Sequence, residues 1–154
     1  MTGPLIGAGG GVSRLHFSGA SGSAITLLPN TYWFQLQRLQ LRGERTIGFG
    51  INSTAHYTGY FNAKDFEVVG FSCGIYIEAG EHIHISFGYM SAFATNGTDP
   101  KGAPGTVALK LGADGSPVET PNDKACTTVT IESIYFSQAD TLIHHLGAAT
   151  HPPP

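Results

Sequence analysis

A motif that returns three times, with a period of roughly 25 residues, constrains the fold of this chain more than any other feature. Each copy is an alternating apolar segment, a glycine, and a second apolar step. The first copy is Leu15-His16-Phe17-Ser18-Gly19, followed by Ala24-Ile25-Thr26-Leu27. The second is Leu39-Gln40-Leu41-Arg42-Gly43, followed by Gly48-Phe49-Gly50-Ile51. The third is Phe66-Glu67-Val68-Val69-Gly70, followed by Gly74-Ile75-Tyr76-Ile77. The segment-ending glycines Gly19, Gly43 and Gly70 are nearly evenly spaced, and so are Ile25, Ile51 and Ile75. Such a recurrence marks stacked units, each of which buries its apolar face only against the next. It predicts an all-β solenoid.

Composition agrees and removes several function classes. Hydrophobic residues make up 41% of the chain, too many for a disordered one. Charged residues are only 12%, about half the usual share. Val, Ile, Thr, Phe and Tyr fill the apolar segments, which favours strands. The net charge of -3 is scattered with no basic patch, so nucleic acid is not an expected partner. No apolar run reaches membrane-spanning length, so no membrane partner is expected. The glycine-rich start, Met1 to Gly11, lacks the basic and apolar blocks of a secretory signal. A β-sandwich is also built from short alternating strands, but it requires no fixed period, and the recurrence favours the solenoid.

One domain is expected over 1–154, with a glycine-rich lead at 1–13, a loop excursion at 94–126 and an irregular tail at 147–154. The excursion is dense in turn formers such as Asn96-Gly97 and Asp114-Gly115, with Val107 to Leu111 as a hairpin arm inside it. Within the repeats, alternation points Phe17, Leu41 and Val68 inward as one column. Ile83-His84-Ile85-Ser86-Phe87 reads as a fourth strand, closer behind Phe66 than a full repeat would place it. Gln138 to Leu146 is the best helical candidate and is short. Cys73 and Cys126 are far apart in the chain and outside any CxxC pair; they are read as buried core residues, with a disulfide left open.

The stretch Gly48-Phe-Gly-Ile-Asn-Ser-Thr-Ala-His-Tyr-Thr-Gly-Tyr-Phe-Asn62, with Phe66-Glu-Val-Val-Gly-Phe-Ser-Cys-Gly-Ile-Tyr-Ile77, resembles right-handed parallel β-helix proteins of the pectate-lyase-like superfamily. Arg14-Leu-His-Phe-Ser-Gly-Ala-Ser-Gly-Ser-Ala-Ile25 is similar to early turns of bacteriophage tailspikes. The resemblance covers about residues 10–95 and, more weakly, 126–146. It implies a right-handed parallel β-helix, incomplete in this chain, located in a virion or outside the cell, with a polysaccharide partner and a homotrimeric assembly. It implies a polysaccharide hydrolase or lyase, or a non-catalytic structural or adhesin segment. The family's Asp pair, Gly-His-Gly motif and clustered Asp calcium ligands are missing from the repeats, so its catalytic residues do not carry over.

In-register strands would bring outward residues into columns, and His16, Gln40, Glu67 and His84 are expected in one, with Glu132 or Thr130 next. Glu67 and His84 are the candidate catalytic residues, as a carboxylate and an imidazole suited to acid–base work. Hydrolysis needs a second carboxylate, from Glu78, Glu81 or Asp65. The rival reading is an ordinary solvated sheet face. Trp33 and Tyr76 are the candidate sugar-binding residues, because a ring face offers apolar area with a polar rim. Trp33, the sole tryptophan, is more often a core plug at a corner than a sugar platform. Asn52, Asn62 and Asn96 suit turns or an amide ladder. His82 and His84 share a strand face, but a third metal ligand is missing, and neither a metal nor a cofactor is expected.

Overall fold

The apolar alternation forms strand wherever the chain is described. The computed structural model describes residues 4–9, 13–28, 31–91, 105–112 and 126–145, apart from the side chains of 45, 46 and 54–57. Among these residues there are eight strands and no helix. They are β1 (Leu5–Ile6), β2 (Arg14–Phe17), β3 (Ser21–Thr26), β4 (Phe34–Thr58), β5 (Phe61–Ser91), β6 (Val107–Leu111), β7 (Cys126–Ser137) and β8 (Thr141–His145). Every pairing between them is parallel. β1, β2 and β3 pair successive parts of β4, β4 pairs β5, β5 pairs β6 and β7, and β6 pairs β8. The result is one curled, open, parallel sheet.

Register explains why the isoleucines recur. Ile25 pairs Ile51, Ile51 pairs Ile75, Ile75 pairs Leu109 and Leu109 pairs Ile143. Five layers thus place one apolar side chain over another. Ile25, Ile51, Ile75 and Leu109 are buried, whereas Ile143, at the β8 end of the column, is 42% exposed. Burial of each such side chain contributes about 1.5–3 kcal/mol. Phe34 and Phe61 repeat the device with ring centroids 5.3 Å apart.

β4 and β5 are far longer than ordinary strands because they bend without leaving the sheet. Within the described strands, six non-glycine residues take the left-handed region at bends: Arg38, Asp65, His82, Phe87, Thr128 and Ser133, with φ of 51–53°. Flanking pairs align Arg38 with Asp65 and Phe87 with Ser133. Each bend adds one residue to the alternation and so switches which parity faces inward. Phe34 and Leu36 are buried before Arg38, and Leu39 and Leu41 after it. The same switch separates Ile83 and Ile85 from Met90 across Phe87. The turn therefore keeps the apolar side on the concave interior, which offsets the cost of a left-handed conformation. Glycine is required at a different corner. Gly70 has φ of 86°, and a Cβ there would run into the Gly43 carbonyl oxygen of the layer below.

Several expectations need correction. Leu41 and Val68 do share a column, but its first member is Leu15; Phe17 sits beside Gly43, with its ring 6.3 Å from that of Phe71. The offset arises because the first copy enters the sheet two positions out of step with its motif. Val107–Leu111 is no hairpin arm: it joins the sheet in parallel, between β5 and β8. Ile83–Phe87 is not a separate strand but a continuation of β5. Leu5–Ile6, inside the lead, forms a short strand on β4. Thr141–His145 is strand, because Ile143 completes the isoleucine column. Asn96 and the tail at 147–154 lie outside the described residues.

Candidate functional site

The outward face that follows Trp33 carries the most concentrated chemistry. Phe34, Phe61 and Ile83 are fully buried, and the alternation therefore turns their neighbours outward. Trp33, with φ of 66°, immediately precedes β4 and projects its indole to 64% exposure. Tyr60 immediately precedes β5 and stacks on the indole at 4.0 Å and 6°. His82, at a left-handed bend of β5, stacks on Tyr60 at 4.7 Å and 6°. Two positions along, Gln35 pairs Asn62, and His84 pairs Thr130. These residues, with Thr128, line an open groove of about 300 Å³. Stacking between layers consumes the inner ring faces. What remains for a ligand is the outer face of Trp33 and the ring edges, beside the amide, imidazole and hydroxyl groups of the polar column.

The His84 imidazole Nε2 lies 3.1 Å from Glu132 Oε1, with both side chains about half exposed. A carboxylate there favours the tautomer in which Nε2 carries the proton and donates it, leaving Nδ1 as the free nitrogen. Glu132 is the carboxylate that His84 finds, and Glu132 and Thr130 are the residues expected next to His84 in the column. No Asp, Glu, Lys or Arg stands among the described residues that line the groove. No group of three metal-ligating side chains occurs among the described residues either.

Of the four sequence candidates, Trp33 and His84 share this groove, while Glu67 and Tyr76 lie elsewhere. Trp33 is exposed and does not plug a corner. Glu67 accepts a hydrogen bond from Gln40 Nε2, and Gln40 Oε1 accepts one from Arg14 Nε. This ladder across β2, β4 and β5 corrects the expected outward column: Arg14, not His16, precedes Gln40 and Glu67. His16 pairs Arg42 in register and reaches Glu44 at 3.0 Å. His84 belongs to the column of Thr130, so the imidazole is not presented to Glu67. Tyr76 is buried, stacked on Phe49 at 5.6 Å with the Lys110 ammonium 5.0 Å from its ring centre. Tyr60, His82 and Asn62 complete the groove, and composition alone does not join them to Trp33. The signal that does is spacing, since Tyr60 follows Trp33, and His82 follows Tyr60, by about one repeat each.

Both cysteines are free and buried. Burial pushes the Cys73 thiol up to about 12, against a smaller opposing pull from Lys110. Burial also pushes Cys126 up to about 11, opposed by a hydrogen bond from the Gly112 backbone. Neither is a thiolate near neutral pH, which argues against a reactive role.

No family model, no curated protein and no solved structure matches this chain.

Proposed function

We propose that this chain is a right-handed parallel β-helix module, similar to bacteriophage tailspikes, that binds a surface polysaccharide in the groove of Trp33, Tyr60, His82 and His84. The parallel register and curled sheet support the architecture, and the open groove supports the ligand class. The single observation that carries the reading is the exposed indole, held flat by Tyr60 beside a column of amide, imidazole and hydroxyl groups. A sugar needs this combination: its C–H face packs on an aromatic ring while its hydroxyls exchange hydrogen bonds with polar neighbours. The proposal includes a virion or extracellular setting and a homotrimer, as the sequence resemblance implies.

Binding is favoured over cleavage. Hydrolysis by the usual route needs two carboxylates flanking the scissile bond, and the described groove residues present none directly, with only Glu132 behind His84. The alternative is a purely structural segment, in which the stacked rings serve to hold adjacent strands together.

Trp33 is the only tryptophan, so its fluorescence reports on the groove alone. Titration with a panel of bacterial surface oligosaccharides should change the emission, and Trp33→Ala should abolish binding measured by calorimetry while the chain stays folded. Unchanged emission and no heat across the panel would reject glycan binding and leave the structural alternative.

A further inference from the structure

We infer that the chain forms a two-fold dimer through the outer edge of β7, which pairs antiparallel with β7 of a second copy. The inference is independent of the glycan reading and needs no ligand. The two ends of the sheet are finished differently. At the β3 end of the isoleucine column Ile25 is 4% exposed, and Leu27, two positions on, is buried. At the β8 end Ile143, Leu142 and Tyr135 are exposed, and Val129, Ile131, Ile134 and Phe136 are only partly covered. β7 pairs β5 along one edge, and among the described residues no strand pairs its other edge. A free strand edge offers backbone donors and acceptors to another chain, and proteins ordinarily blunt it with charge, proline or shortness. β7 has twelve residues, no proline and a single charge, Glu132, and it is rich in Thr, Ile and aromatic residues.

The pattern of β7 identifies the partner. A two-fold interface presents the same patch twice, so the patch must match its own reverse. From the peptide that joins Glu132 and Ser133, β7 has the same pattern in both directions: Ile131 mirrors Ile134, Thr130 mirrors Tyr135, and Val129 mirrors Phe136. The left-handed bend at Ser133 makes the match. It shifts the alternation by one, so that Val129 and Ile131 before it and Ile134 and Phe136 after it all pack against the core. Antiparallel pairing about that peptide sets Ile131 against the partner's Ile134 and Val129 against the partner's Phe136 on the interior side, with Thr130 against the partner's Tyr135 outside. The bends at Thr128 and Gln138 flank Ser133 evenly, so each bend falls next to a bend of the partner and the two chains turn their corners together. Glu132 faces the partner's Ser133, and no like charges oppose each other across the axis. Head-to-tail stacking on the β3 end has less to gain, because Ile25 and Leu27 are already buried. The two-fold contact closes after two copies, and in the proposed homotrimer it joins two trimers.

Sedimentation equilibrium of the intact chain is the test. The wild type should have the mass of an even number of chains and fall to half that number on dilution. Ser133→Glu sets a pair of like charges on each side of the axis and should raise the dissociation constant about tenfold, whereas Ser133→Lys sets opposite charges there and should lower it by a similar factor. Both place a long unbranched side chain at the same left-handed bend, so the fold is burdened alike and the circular dichroism of each should match the wild type. Glu132→Gln combined with Ser133→Glu keeps the wild-type net charge and should return the constant to near its wild-type value. In the wild type, amide exchange should slow with rising concentration within β7. A wild type that stays monomeric or trimeric at every concentration would overturn the inference. Equal dissociation constants for Ser133→Glu and Ser133→Lys, filaments that lengthen with concentration, or protection that grows only outside β7 would overturn it as well. Should both variants fail to fold, the wild-type mass and exchange pattern still decide.

Discussion

The interior isoleucine column and the outward groove column run across the same layers under opposite rules. Inside, Ile25, Ile51, Ile75, Leu109 and Ile143 repeat one chemistry at every step. Outside, Gln35 gives way to Asn62, and His84 to Thr130. From Ile25 to Leu109 the interior column has no solvent to satisfy a polar group, so each of these layers favours an apolar side chain. The outward column meets water at every layer, and stability leaves its chemistry nearly free. Variation among outward positions is where function can be written, and a groove that combines stacked rings with hydrogen-bonding groups is the outstanding instance here.

That contrast can be broken most severely from inside. Val68→Asp, at a fully buried position, should prevent soluble expression, because an unpaired buried carboxylate costs several kcal/mol, comparable to the stability of a small domain. A soluble variant with unchanged thermal stability would show that the inward assignment is wrong. Ile75→Ala should be milder, losing about 2–5 kcal/mol in denaturant titration, since the layers on either side close a cavity only in part. A loss below about 1 kcal/mol would mean that the column is not close-packed.

Alkali tests the interior by another route. Cys73 ionises near 9 when unfolded and near 12 when folded, and Cys126 near 9 and near 11. Both pKa values are raised by folding, so their contribution is complete below pH 9 and is lost as pH climbs through 11 and 12. Each thiol should lower unfolding free energy by about 1.4 kcal/mol per pH unit within its window. Comparison with Cys73→Ala isolates one of them; identical pH slopes in the two proteins would contradict the burial of Cys73. The smallest effect belongs outside. Glu67→Gln trades a half-buried charge in the Arg14–Gln40–Glu67 ladder for an amide and should change stability by less than about 1 kcal/mol. A larger loss in thermal unfolding would make the ladder a structural brace.

The recurring motif in the amino-acid sequence determined that the described residues form strands and no helix, that their layers pair in parallel and that isoleucine faces isoleucine. Those features follow from local alternation and from a spacing that can be counted along the chain. The bends were legible in principle as well. Leu36 to Leu39, Ala63 to Phe66, Ile85 to Gly88 and Ile131 to Ile134 each widen the alternation by one position, at the left-handed residues Arg38, Asp65, Phe87 and Ser133. Tertiary structure alone decided which outward residues meet. Layer length is not constant along a single pair of strands: it shortens from the pair Leu39 and Phe66, through Ile51 and Ile75, to Thr58 and Gly80. A parallel sheet has a side-chain period of two, so a slip of two positions leaves the core chemically satisfied while exchanging every outward neighbour. That is why Arg14 stands over Gln40 where His16 was expected. Glu67 and His84 do not meet because both lie on β5, far apart along it. Stacking across the layers then set Trp33, Tyr60 and His82, spaced about one repeat apart, ring on ring.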